Sequence, residues 1–136
     1  MSAAQNLSYS VIQVVHNFGA VATVSGSLLA ARLHDNVIRR KLAYWVLGGW
    51  LVQAASGASF GVVSYYYYHQ FPDISGIAVD ALGIKMVCAT LGIVLLLFYL
   101  ARNVHWPVRH ASMVWIASST LAITAISAAA FLRWFA

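Results

Sequence analysis

Charge is what this sequence has least of. Only 8% of its 136 residues are Asp, Glu, Lys or Arg, where a water-soluble domain carries about a quarter. Acids are the scarcest, with Asp35, Asp73 and Asp80 the full set, and their wide spacing offers no paired carboxylates for acid–base chemistry. A single cysteine, Cys88, excludes an internal disulfide framework and any thiolate metal cluster built within one chain. Proline is confined to Pro72 and Pro107, and no phosphate-binding glycine loop or nucleophile triad is present, which argues against a hydrolase or kinase. Basic residues outnumber acids, for a formal charge of +5, but they are not clustered on a soluble module as nucleic-acid binding would require.

What remains is apolar. Residues of the hydrophobic set make up 62% of the chain and mean hydropathy is +0.78, too little polar surface to coat a soluble domain. The apolar residues form four runs, about Ser8 to Ala31, Leu42 to Tyr65, Ile77 to Ala101 and Ser112 to Leu132. Each approaches or exceeds the ~20 residues that a helix rising ~1.5 Å per residue needs to cross a ~30 Å hydrocarbon core. They are continuous rather than alternating, so helices are predicted and not barrel strands. The expected fold is therefore all-α, a single integral membrane four-helix bundle over residues 1–136. No Lys or Arg precedes the first run and it is long for a signal sequence, so it is expected to stay in the mature protein.

Orientation follows from the basic residues. Arg32, Arg39, Arg40 and Lys41 lie between the first two runs, and Arg102 and Arg109 between the last two, whereas Tyr65 to Gly76 holds no Lys or Arg. The positive-inside bias places both basic connections in the cytoplasm and both termini on the other side, the periplasm of a bacterial inner membrane. The sequence Tyr65-Tyr66-Tyr67-Tyr68-His69 suits an aromatic belt at headgroup level, or a docking or quinone-contact surface. Pro72 and Asp73 would turn the chain and Ser75 would cap the third helix; Trp106 and Pro107 break the chain before the fourth. Small residues allow close helix approach, with Gly57 and Gly61 as a pair on the second helix and Gly19, Thr23 and Gly26 as a groove on the first. Thr120, Thr124 and Ser127 can bond back to their own helix carbonyls.

The polar residues inside the apolar runs carry the functional information, because each costs several kcal/mol in lipid unless it meets protein, water or a ligand. Gln13, His16 and Asn17 recur at helical spacing on the first run, Gln53 falls mid-way along the second, and Lys85 lies about eight residues into the third with Asp80 nearer its start. Counted from the outer edge, His16 and Lys85 share the outer half of the membrane, and a meeting between them is expected. A neutral imidazole there can ligate haem iron or copper, hydrogen-bond a quinone, or simply tie two helices together. Lys85 must snorkel, lose its proton, or pair with an anion such as Asp80 or a haem propionate. His34, His69, His105 and His110 fall close to water.

The stretch His16-Asn17-Phe18-Gly19-Ala20-Val21, a basic turn, a glycine-containing second helix, and Gly83-Ile84-Lys85 opening a leucine-rich third helix that closes on Arg102-Asn103 resemble the four-helix core of CopD-type membrane proteins. They are similar also to HemJ-type protoporphyrinogen oxidases, which share a histidine in helix one and a lysine in helix three. The resemblance implies copper uptake or haem, with His16 and Lys85 as the positions carried over. The expectation is a small membrane subunit that binds haem b or a metal near the periplasmic face. His16 would be the iron or metal ligand, His69 the nearest second ligand, and Lys85, Gln13, Asn17 and Gln53 the surrounding site. An autonomous enzyme is not expected; work beside a larger redox complex, or as a homo-oligomer, is. The alternatives are copper transport of the CopD kind and a structural subunit without a cofactor.

Overall fold

A computed structural model describes residues 2–102 and 106–136. Four helices account for nearly all of them: α1 (Ala3–Arg32), α2 (Asn36–Tyr68), α3 (Ile77–Arg102) and α4 (Val108–Phe135). The fold is all-α, with no strand among the described residues. Each helix is long and apolar enough to cross a membrane.

The helices outrun the apolar segments because capping groups set their ends. Asp35 Oδ1 accepts from the N–H groups of Val37 and Ile38 at 2.8 and 2.9 Å, which starts α2 six residues upstream of Leu42. Arg39, Arg40 and Lys41, expected in a loop, are consequently helical. The tyrosine run continues α2 to Tyr68, where His69 adopts a left-handed φ of 55° and donates its N–H to Tyr65 O at 2.8 Å. The expected side-chain cap by Ser75 is replaced by backbone carbonyls. Ser75 O receives Ala78 N–H, and Gly76 O receives those of Val79 and Asp80, with Gly76 at a φ of 54°. Pro107 immediately precedes α4, where its lack of an N–H costs nothing, and its carbonyl takes the N–H groups of His110 and Ala111.

α1 and α2 run antiparallel, as the pairs Tyr9 with Phe60, His16 with Ser56, Gly26 with Val46 and Ala30 with Arg39 show. α3 packs mainly on α4, and contacts of α1 with α4 and α2 with α3 close the bundle into a ring. This leaves α1 and α3 diagonal to one another. The termini and the connection after α2 share one end, the terminal end; the turns after α1 and α3 share the other, the basic end.

The packing is inverted relative to a soluble protein. The interior is largely Ala, Gly, Ser and Thr around Trp50 and Trp115, while Leu7, Phe18, Val62, Leu91 and Ile116 point outward. Such a surface suits lipid, and small interior residues let backbones meet where no hydrophobic effect draws helices together. The groove of Gly19, Thr23 and Gly26 is filled by α2: a Cβ on Gly19 would meet Gly49 O at 3.1 Å, and one on Gly26 would meet Val46 Cγ2 at 2.5 Å. Gly57 and Gly61 serve a different purpose from the expected helix crossing. A Cβ on Gly61 would meet the Phe71 ring at 3.8 Å, and one on the exposed Gly57 would reach only His16 Cε1, at 4.0 Å. Thr120 and Ser127 bond back to Ile116 and Ile123 carbonyls on the outer face.

Candidate functional site

The site is a hydrogen-bonded chain across three helices. His16, on the inward face of α1, is buried and sits opposite Ser56 of α2, with Nδ1 2.7 Å from Ser56 Oγ. Lys85 reaches across the bundle diagonal from α3 and donates from Nζ to His16 Nε2, also at 2.7 Å. The helices it joins are not neighbours in the ring, so the long lysine side chain is what spans the interior.

Proton accounting fixes the imidazole tautomer. Ser56 Oγ has one hydrogen, and it is directed at its own helix, where Val52 O lies at 2.6 Å and Gln53 O at 3.3 Å. The hydroxyl oxygen therefore accepts from His16 Nδ1–H. Nε2 then holds the lone pair, which agrees with a lysine donor facing it. A histidine whose Nδ1–H is anchored in this way presents Nε2 as base or ligand, the arrangement that orients metal-binding imidazoles. Phe60 meets the His16 ring edge-on at 6.0 Å between centroids and stacks on Tyr9 at 6.2 Å, so two aromatic rings lie on the terminal side of the site.

The other residues expected at the site are arranged differently. Gln53 is buried one turn from Ser56, its Cγ packed close to Gly19. Gln13 and Asn17 bond to each other at 2.8 Å, and Asn17 is exposed, so the two do not share the inward face of His16. A 3.6-residue period turns i and i+4 apart from i+3 enough for one helix face to divide in this way. His69 caps the far end of α2, thirteen residues beyond Ser56 and so about 20 Å along the helix. It is not brought to His16 and lies edge-on to Tyr65 instead. Asp80 is exposed, and Lys85 bonds His16 rather than this acid. His34 and His110 are exposed; His105 and Asn103 lie outside the described residues.

Two buried polar side chains were not marked by the sequence. Ser56 looks like one of many small residues, and only its three-residue spacing from Gln53 places it on the same buried face. Arg39 reads as a loop charge yet is fully buried.

Among the described residues no group of three or more His, Cys, Asp or Glu could hold a metal ion. The donor set of one imidazole and one lysine amine does not make a closed site for a bare metal ion. A haem, which brings four nitrogens of its own, asks less of the protein: one imidazole for its iron. Compared with family models, with curated proteins and with solved structures, the chain matches none of them.

Proposed function

We propose that this protein is a small integral membrane subunit that binds haem b in the terminal half of its helix bundle. His16 Nε2 would hold the iron and Lys85 would supply the counter-charge. The observation that carries the reading is the Ser56 bond to Nδ1, which commits the imidazole to the tautomer with Nε2 free of its own proton. Holding the iron would require Nε2 to give up its Lys85 hydrogen bond, and the freed Lys85 would be the residue to neutralise a propionate. Gly57 is exposed and a Cβ there would lie 4.0 Å from His16 Cε1, so no side chain at that position stands against the ring. Bound haem would supply one-electron redox chemistry; the chain's own part is to orient the imidazole, exclude water and neutralise a carboxylate. The resemblance to CopD- and HemJ-type proteins points to the same two residues. Basic residues at the turns after α1 and α3 put that end in the cytoplasm and the site towards the periplasm of a bacterial inner membrane. With nearly all of its residues in the four helices, the chain would exchange electrons with a larger membrane partner or a second copy of itself.

A reduced-minus-oxidised absorption spectrum of the protein in detergent tests this. Haem b bands are expected in the wild type and their loss is expected in His16→Ala, with the bundle still inserted. Wild type that carries haem and a His16→Ala variant that retains it with the same spectrum would sink the proposal.

A second reading has one specific observation in its favour: both ring nitrogens of His16 already have partners. In that case Ser56, His16 and Lys85 form a polar lock for three helices, with no cofactor, and the same spectrum is featureless. Copper transport is less well served, since Met86 and Met113 both face outward and form no interior path with His16.

A further inference from the structure

We propose that the basic end of the bundle holds a small inorganic anion of the halide class, bound by Arg39 with Tyr99 and Trp115. Arg39 is fully buried at the start of α2. Its Nε donates to Ala30 O and one terminal nitrogen to Ser112 Oγ, each at 3.0 Å, while the other terminal nitrogen, Nη1, has no acceptor. Ser112 is three residues from Trp115 on α4, and the Trp115 ring meets that of Tyr99 on α3 at 5.3 Å. Both of these residues are fully buried as well, and both Tyr99 Oη and Trp115 Nε1 lack partners. All four helices thus contribute to one interior region that contains a guanidinium and unmet donors.

The charge has no carboxylate to answer it. The chain has three acids, and Asp73 and Asp80 belong to the terminal end. Asp35, at the basic end, turns Oδ1 to the N–H groups that start α2. A buried ion left without a counter-charge is strongly unfavourable, so the compensation must come from outside the chain. A water brings two hydrogens that need acceptors, and of the three unpartnered groups only Tyr99 Oη can accept one, whereas a halide only accepts. Complete burial of the guanidinium also favours a small ion over a lipid headgroup. The inference is independent of the haem reading.

The test is the thermal stability of the protein in neutral detergent as chloride replaces gluconate at fixed ionic strength. A saturable rise is expected in the wild type, abolished in Arg39→Met, which keeps the apolar stem and removes the charge. Tyr99→Phe, which deletes one hydroxyl, should raise the half-saturating chloride concentration several-fold, and it carries the test alone if Arg39→Met does not accumulate. Equal stability in chloride and gluconate would mean that water fills the region and would overturn the proposal. So would a chloride response unchanged in Arg39→Met or in Tyr99→Phe, which would place the ion on exterior basic residues. Stabilisation by phosphatidylglycerol vesicles with none from chloride would overturn it in favour of a headgroup.

Discussion

Gly48 and Gly49 are adjacent in α2, and the structure assigns them opposite responses to the same methyl group. A Cβ on Gly49 would lie 2.6 Å from Thr23 Oγ1 and 3.0 Å from both Gly19 O and Thr23 N, two of which are backbone atoms that cannot rotate aside. A Cβ on Gly48 would meet nothing within 4 Å. Alanine gains roughly 0.5–1 kcal/mol over glycine inside a helix, and overpacking a tight contact costs about 1–3 kcal/mol. Gly48→Ala is therefore expected to be neutral or stabilising by up to about 1 kcal/mol. Gly49→Ala, which must push α1 away from α2, should lose about 1–2 kcal/mol net. Reversible unfolding of the two variants in mixed detergent–dodecyl sulfate micelles measures the difference. Equal stabilities would mean that α1 and α2 do not cross at Gly19, Thr23 and Gly49, and the register that brings His16 to Ser56 would fail with them.

Other consequences are open to direct measurement. Ser56→Ala removes the acceptor of His16 Nδ1–H; a lost interhelical hydrogen bond in a bilayer amounts to about 0.6–1.7 kcal/mol of stability, and the freed imidazole should hold a haem some 10–100-fold less tightly. An unchanged affinity in a haem titration would remove Ser56 from the site. Cysteine labelling at Asn36 should report a cytoplasmic position and at Gln70 a periplasmic one; Gln70 found inside would reverse the orientation drawn from the basic residues.

The helices were legible in the sequence because a bilayer-length apolar run is a long-range signal that no single residue can spoil. Their ends were not, since Asp35 and Pro107 act through local capping that shifts a boundary by several residues without changing mean hydropathy. The meeting of His16 and Lys85 was legible from depth, as both sit in the same half of their helices. Rotation about the helix axis was harder to read. Asn17 and His16 are neighbours in sequence and differ by about 100° around α1, which decides that one is exposed and the other faces Ser56. Arg39 was misread for a related reason. A basic residue beside Arg40 and Lys41 looks like part of a topology signal, and only packing against Ala30 and Ser112 distinguishes it.

Lys85 separates a ligand site from a polar lock, because the two roles available to it predict changes of opposite sign. Its hydrogen bond to His16 Nε2 occupies the nitrogen that an iron would need. If that were its whole part, Lys85→Met would free Nε2 from a bond which, made by an ammonium, is worth about 1.5–3 kcal/mol. Haem affinity would then rise by roughly tenfold or more. If Lys85 instead transfers to a propionate, Met keeps the apolar stem, deletes the charge, and leaves a carboxylate unpaired in a region with no other described cation beside it. Affinity would then fall without being abolished, since His16 still ligates. The fall is the expected result, read by titrating haem into the purified variant and following the Soret band. A rise would refute the propionate role while leaving His16 as the ligand. No haem binding by the wild type would leave three helices tied by Ser56, His16 and Lys85, and the loss on Lys85→Met would then appear only in unfolding.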